Sequence, residues 1–204
     1  MRLLLATTNL GKVREIAAEL CTSGVPNIEL TTLRDFPGMP DVVEDQPTFG
    51  GNAMKKARHF ARLTGMLSLA DDSGLCVDAL HGAPGIYSAR YAGVPCNDKA
   101  NNLKLLEALR ATPMEKRTAC FVCALALASP DKPLLVLSDY VHGRIGYAPR
   151  GENGFGYDPL FVLPDRGITT AELTPEEKAR VSHRGKAVRR LAEWLLQSGL
   201  LGGD

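Results

Sequence analysis

Two adjacent carboxylates, Asp71 and Asp72, are the side chains whose types and spacing most directly indicate chemistry. They follow the apolar run 67–70 and precede Ser73 and Gly74, a pattern that predicts a strand delivering both acids to its end. Neighbouring carboxylates repel each other, and a bound cation relieves that repulsion. The pair therefore predicts a site for a cation and a polyanion, with a solvated turn as the alternative.

A second polar segment follows a short apolar run at the start of the chain. It consists of Thr7, Thr8, Asn9, Leu10, Gly11 and Lys12. Small residues at a strand-to-helix turn expose backbone N–H groups, and the helix dipole and Lys12 add positive charge for phosphate oxygens. The segment lacks the glycine spacing of a Walker loop. An ordinary capped turn is an equal alternative.

Further charged residues strengthen the prediction of a metal-bound triphosphate. Glu44 lies in an acidic segment just before a predicted helix that contains Lys55 and Lys56. Two sources of carboxylate with lysines nearby suit Mg²⁺ bridging phosphates. The lysine pair also fits a solvated helix face, which is the usual location of lysine.

Two other segments have the residue types of a base-binding site. Phe155 lies between Gly154 and Gly156, where it can stack on a base or plug the loop from beneath. His183 and Arg184 lie at a predicted break between two helices, where hydrogen-bond donors are available to a ligand.

The pattern of apolar residues predicts the elements that position these side chains. Predicted strands cover 2–6, 28–33, 67–71, 118–129, 134–147 and 160–163. Predicted helices begin near Lys12, after the N-caps Thr48 and Asn97, at the capping box 174–177, and after an interruption at 183–185. The inward residues expected of the helix after Thr48 are Ala53, Ala57, Phe60 and Ala61. Those of the helix after Asn97 are Leu103, Leu106 and Leu109, and those of the last helix are Val188, Leu191, Leu195 and Leu196.

The early strands and helices alternate, whereas the later strands pair, so the sequence predicts an α/β fold with a mixed, partly antiparallel central sheet and flanking helices. We expect one domain over residues 1–204, with two lobes that share the sheet and an active-site cleft between them. A net charge of +1 argues against a nucleic-acid-binding protein. The apolar runs are too short for a membrane span or a signal peptide, so we expect a cytoplasmic protein.

The motifs, taken together and in order, resemble the inosine triphosphate pyrophosphatase family, which acts on non-standard purine nucleoside triphosphates. The resemblance covers nearly the whole chain. It consists of the segments 7–12 with Glu15, 48–57, 70–75, 82–90, 154–159 and 182–185. Each segment alone is weak, but the ordered set is specific.

The resemblance implies a Mg²⁺-dependent homodimer that hydrolyses ITP, dITP and XTP to the monophosphate and pyrophosphate. It implies that Asp72 is the general base and a metal ligand, with Glu44 as the second metal ligand. It further implies the following substrate contacts: residues 7–12, Lys56 and Ser73 to phosphate, and Phe155, Gly156, Tyr157, Asp158, Lys178, His183 and Arg184 to base and sugar.

One residue departs from the family pattern: Gly51 occupies a position that is usually Glu, which removes a carboxylate close to the implied metal site. Two alternatives stay open. A related pyrophosphatase would act on modified pyrimidine or ordinary nucleotides, and a nucleotide-sensing module would bind substrate with Mg²⁺ without releasing pyrophosphate.

Overall fold

The structure, a computed structural model, describes residues 1–201, and its strands form a mixed sheet. The strands of this part of the chain are β1 Arg2–Leu5, β2 Glu29–Thr32, β3 Leu67–Val77, β4 Thr118–Ala128, β5 Pro133–Ile145, β6 Phe161–Leu163 and β7 Ile168–Thr169. They are hydrogen-bonded in the order β2-β1-β3-β4-β5-β6-β7. Strand β1 pairs in parallel with β2 and β3, whereas β6 pairs antiparallel with β5 and β7. The predicted α/β class and mixed sheet are confirmed.

Five α-helices accompany the sheet in the described residues. They are α1 Leu10–Thr22, α2 Phe49–Thr64, α3 Asp98–Ala108, α4 Pro175–Val181 and α5 His183–Gln197. The predicted caps are present: Thr48 accepts a hydrogen bond from the Gly51 N–H, and Thr174 and Glu177 form a capping box. None of the helices in residues 1–201 has the length and apolar character needed to cross a membrane.

The chain divides into two compact units, each assembled from separate segments. Unit 1 contains residues 1–72, 123–139 and the chain from Arg184 onward, and unit 2 contains residues 73–122 and 140–183. Strands β3, β4 and β5 each contribute residues to both units.

Unit 1 has two apolar clusters. In the first, Ile16 and Leu20 of α1 and Leu191 of α5 pack with Leu3 and Leu5 of β1. In the second, small side chains let α2 approach the strands closely. Its buried members are Leu4, Ala6, Ala53, Ala57, Phe60, Ala61, Ala70, Ala124, Ala126 and Ala128. The inward residues predicted for α2 are all buried.

Unit 2 has its own core around two aromatic rings, Phe121 and Phe161, whose centroids are 4.4 Å apart. Leu105 of α3 and Leu109, its C-cap, pack into the same cluster. Two predicted stripes need correction: Leu103 is 69% exposed and Leu196 is 52% exposed. In α3 the buried positions are Asn101 and Leu105, so a polar residue occupies part of the inner face.

The largest correction concerns β3, which does not end at the acids. It continues through Asp71, Asp72, Ser73 and Gly74 to Val77, so the predicted strand end at the acids is wrong. The break predicted between the last two helices is present, but it lies at Ser182 and not at 183–185, because α4 ends at Val181 and α5 begins at His183.

Candidate active site

Asp71 and Asp72 lie in mid-strand, and this separates their environments. Successive side chains of a strand point to opposite faces of the sheet. Both carboxylates are buried, at 1% and 6% exposure. They nevertheless contact different partners in unit 1, and the two acids therefore have different chemistry.

Asp71 is a fully paired carboxylate. Arg184 Nε donates to its Oδ2 at 2.8 Å, Lys12 Nζ donates to its Oδ1 at 2.5 Å, and the buried Cys123 thiol donates to Oδ2 at 3.2 Å. Arg184 also pairs with Glu15. Burial alone would raise the pKa of Asp71, but Arg184 and Lys12 outweigh it and hold the pKa well below its usual range. Asp71 is thus a permanent anion that fixes two cations.

Local structure explains how Lys12 and Arg184 reach Asp71. Asn9 caps α1 by accepting from the Lys12 N–H at 3.1 Å, which places Lys12 in the first turn beside β3. Arg184 lies in the first turn of α5 and is 2% exposed. Its guanidinium is held by carboxylates within unit 1, an arrangement typical of a positioning residue.

Asp72 has an oxygen that no neighbouring group satisfies. Its Oδ2 is buried and has no hydrogen-bond partner within residues 1–201. On the other oxygen, Lys56 Nζ lies 3.7 Å from Oδ1. Burial raises the pKa of Asp72, and the nearby ammonium of Lys56 opposes this only in part. A buried oxygen with unused lone pairs is a good ligand for a cation or for water.

Lys56 joins the two predicted metal ligands. Its Nζ donates to Glu44 Oε1 at 2.7 Å and to the Asp71 carbonyl at 2.9 Å, in addition to its contact with Asp72. Burial alone would lower the pKa of Lys56, but Asp72 and Glu44 reverse the direction and raise it. The structure thus brings Glu44, Lys56 and Asp72 together as the sequence predicted.

The residues around Asp72 fit Mg²⁺. No three His, Cys, Asp or Glu side chains of residues 1–201 are grouped to hold a metal by themselves. Mg²⁺ does not need such a cage, because it binds one or two carboxylates and completes its octahedron with water and substrate phosphates. Asp72 Oδ2 and Glu44 are the side-chain oxygens that would hold it.

Unit 2 contains a second polar cluster around the buried Asp158. Its Oδ2 accepts from the Phe155 N–H at 2.9 Å and from Lys178 Nζ at 2.5 Å, and its Oδ1 accepts from Thr170 at 2.8 Å. Lys178 Nζ lies 4.9 Å from the centroid of the half-buried Phe155 ring. A Cβ at Gly154 would approach Asp158 Oδ2 to 2.1 Å, so only glycine allows this loop conformation. Asp158, Lys178 and Phe155 therefore form one constellation, as predicted.

Two other residues predicted for the base site, Tyr157 and His183, make separate contacts in unit 2. Tyr157 is buried, and its hydroxyl donates to the Ser88 carbonyl at 2.8 Å. Burial raises the pKa of this hydroxyl, so it stays protonated. His183 is buried and stacks on Phe121, with centroids 4.8 Å apart and ring planes 15° apart. Ser73 follows Asp72 on β3.

Sequence reasoning missed several partners of these residues. Glu15 and Cys123 support the Asp71 network, and Thr170 supports Asp158. The sequence shows Glu15 three residues after Lys12. It does not show the partner of Glu15, because Arg184 lies 169 residues further along the chain. Cys123 is buried and forms no disulfide within residues 1–201, and its thiol donates to Asp71.

The fold agrees with comparisons to known proteins. A profile of the Ham1 family matches residues 3–194. The dITP/XTP pyrophosphatase of Geobacter sulfurreducens is 52% identical over 199 residues, covering 98% of this chain and 98% of that protein. The dITP/XTP pyrophosphatase of Geobacillus kaustophilus is 53% identical over 191 residues, covering 94% and 92%. A HAM1 protein from Coxiella burnetii superposes with a TM-score of 0.86 at 41% identity, covering 97% and 99%.

The chain is an enzyme of the class that hydrolyses phosphoric anhydride bonds, because its relatives at about half identity belong to that class. The chain belongs to the Ham1 family. The resemblance and the enzyme class expected from the sequence are both confirmed.

Proposed function

We propose that this chain is a Mg²⁺-dependent nucleoside-triphosphate pyrophosphohydrolase that converts dITP, ITP and XTP to the monophosphate and pyrophosphate. The observation that carries the proposal is Asp72, a buried carboxylate with one unsatisfied oxygen beside Lys56 and Glu44. The pyrophosphatase relatives, at about half identity over nearly their full length, support the same reaction.

In the proposed reaction, water adds to the α-phosphorus, the α–β phosphoanhydride bond breaks, pyrophosphate leaves with the bond electrons, and the proton that the water loses passes to solvent. Asp72 orients the water, and Lys12 and Lys56 balance charge on the phosphate oxygens. The exposed N–H groups at the start of α1, together with residues 7–11, bind phosphate through the helix dipole. Asp72 and Glu44 would hold Mg²⁺, which would supply charge neutralisation and activation of water. Catalysis is mainly positioning and electrostatics.

Base selectivity is assigned to the cluster around Asp158. Hypoxanthine and xanthine present a C6 carbonyl and an N1–H, whereas adenine presents an amino group and a bare N1. The Lys178 ammonium can donate to O6, and Asp158 retains acceptor capacity, because a carboxylate offers about four lone-pair sites. Phe155 supplies a stacking face. Each mispaired buried group costs about 1–3 kcal/mol, so two disfavour adenine by roughly 10²-fold or more.

We assign Arg184 a role other than the base contact that the resemblance implies. Since its guanidinium is buried between Asp71 and Glu15, we assign it to holding Asp71 and, through Asp71, Lys12. His183 and Tyr157 keep the base and sugar assignment that the resemblance implies. We also propose, from the family resemblance, a cytoplasmic homodimer that acts on free nucleotides and not on nucleic acid or membranes.

The test is pyrophosphate release from ITP, dITP, XTP, GTP and ATP, with and without Mg²⁺. We expect Mg²⁺-dependent release from the first three only. Asp72→Asn should lower kcat by roughly 10²–10³-fold with an unchanged circular dichroism spectrum, because the neutral amide neither binds metal nor orients water. The matched control is Asp131→Asn, in the exposed turn between β4 and β5.

Three outcomes would contradict the proposal. Near-normal turnover by Asp72→Asn would remove Asp72 from catalysis. Release from pyrimidine or ordinary nucleotides alone would change the substrate class. Mg²⁺-dependent binding of nucleotide without any pyrophosphate release would indicate a sensing module.

A further inference from the structure

Helix α3 has an unusually polar first half. Asn97 caps it by accepting from the Ala100 N–H at 3.0 Å, and its buried residues are Asn101 and Leu105 alone. Leu103 faces solvent. Leu105, Leu106 and Leu109, at the second half of the helix, pack in the core of unit 2, whereas the polar side chains of the first half contact backbone groups of other segments.

Two of these side chains hold Gly156 by both of its backbone polar groups. Asp98 Oδ2 accepts from the Gly156 N–H at 2.7 Å, and Asn102 Nδ2 donates to the Gly156 carbonyl at 2.9 Å. Asp98 and Asn102 are four residues apart and therefore lie on one face of α3. The bond to Asp98 is charge-assisted, which makes it the stronger of the two.

The neighbouring side chains of α3 hold a second segment of unit 2. Asn101 accepts from the Ala92 N–H at 2.7 Å and donates to the Ala89 carbonyl at 3.0 Å, and Lys104 donates to the Tyr91 carbonyl. Because α3 is anchored on this segment, Asp98 and Asn102 present a fixed pair of groups to Gly156.

Gly156 controls the direction of the Phe155 ring. Both flanking glycines, Gly154 and Gly156, have positive φ, at 77° and 62°, and glycine alone adopts such angles readily. Asp158 fixes the Phe155 N–H on one side, and α3 fixes Gly156 on the other. Without the contacts from α3, the peptide after Phe155 would rotate and the ring would lose its alignment beside Lys178.

We propose that Asp98 and Asn102 are positioning residues of the base site, which set nucleotide affinity and base selectivity without touching the nucleotide. The inference rests on the proposed function, because it assigns Phe155 to the base. It concerns residues of α3 that the sequence motifs had marked only as the start of a helix.

The experiment compares a nucleotide with a ligand that has no base. Binding of the α,β-methylene analogue of dITP, and separately of inorganic tripolyphosphate, is measured by calorimetry in the presence of Mg²⁺. Asp98→Ala and Asn102→Asp should each weaken binding of the analogue roughly tenfold and leave tripolyphosphate binding unchanged. Asp98→Asn keeps an acceptor for the Gly156 N–H and should restore most of the affinity. The control is Lys99→Ala, on the exposed side of the same helix.

Steady-state kinetics give a second readout. With dITP, the two disruptive variants should raise KM with kcat within about twofold, as expected when uniform binding is lost. Equal loss of analogue and tripolyphosphate affinity would show general damage and overturn the inference, as would unchanged affinity for both. Because the analogue is not hydrolysed, failure of the proposed reaction in the wild type remains distinguishable from failure of this inference.

Discussion

Asp71 and Asp72 show how identical neighbouring residues acquire different properties. Asp71 is surrounded by cations and stays ionised, whereas burial raises the pKa of Asp72 and leaves one of its oxygens unsatisfied. The sequence predicted that the pair matters. It could not predict the division between them, because the division depends on β3 continuing past Gly74.

Asp71 should be the more important of the two for stability. Asp71→Asn leaves the buried Arg184 and Lys12 without their shared anion, and breaking a buried pair in this way typically costs about 3–5 kcal/mol. Urea denaturation at pH 7 should show a loss of that order. The control Glu107→Gln breaks a pair with Arg110 in which both side chains are exposed, and it should change the free energy of unfolding by about 0.5 kcal/mol or less.

The pH dependence of this difference has a definite sign. The folded-state pKa of Asp71 is depressed, so its contribution is fully present above its unfolded pKa of about 3.9 and is lost as pH falls through the folded pKa. The gap in stability between wild type and Asp71→Asn should therefore narrow below about pH 4. A gap that stays constant from pH 7 to pH 3 would contradict the ionised state of Asp71.

At the scale of elements, close packing in the first turn of α2 explains why residue 51 is glycine. A Cβ at Gly51 would lie 2.9 Å from Gln46 Cβ and 3.0 Å from the capping oxygen of Thr48. Residue 51 thus lacks a carboxylate at a position where the segment that contains Glu44 packs closely against the helix. Gln46 also donates its N–H to Asn52 Oδ1 at 2.9 Å, which holds the segment in place.

Gly51→Ala should consequently destabilise the protein by about 1 kcal/mol, although alanine is the better helix former. It should also lower pyrophosphate release, because moving Gln46 moves the segment that contains Glu44. The matched substitution Gly50→Ala meets only Val136 Cγ1 at 3.2 Å, and the Val136 side chain is 48% exposed and can adjust. Thermal and urea denaturation of both variants test the difference, and equal stability would contradict the packing argument.

Local signals predicted some elements well and others poorly. The caps Thr48 and Thr174 and the inner face of α2 were predicted correctly, because capping and helical periodicity are local properties. The inner face of α3 was predicted only in part: Leu106 and Leu109 pack in the core, but Leu103 is exposed, and Asn101 is buried and satisfied by residues 89 and 92. Hydrophobic periodicity cannot identify a buried asparagine whose partners lie in a loop.

At the scale of the whole molecule, α5 completes unit 1 although it lies far from β1 in sequence. It buries Ala187, Val188, Leu191, Ala192 and Leu195 among residues of β1 and α1. Burial of the three branched side chains alone contributes roughly 5–9 kcal/mol, which is comparable to the total stability of a typical domain.

A chain truncated after His183 should therefore fail to fold unit 1. We expect it to be recovered as aggregate or to show no cooperative thermal transition. Truncation after Gln197 keeps all of α5 and should leave a soluble protein with a cooperative transition and near-normal activity. A cooperative transition in the shorter chain would contradict the role assigned to α5.

Lys56 has a consequence for the order in which ligands associate. Its ammonium binds Glu44 and lies beside Asp72, so under the proposed function an incoming divalent cation would compete with it for the Glu44 carboxylate. Triphosphate offers the displaced ammonium a new anionic partner. Metal and nucleotide then strengthen each other's binding by the same factor, as linkage requires. If the proposed Mg²⁺ dependence holds, the ammonium of Lys56 would keep occupancy by metal alone weak, and binding of the substrate would complete the metal site.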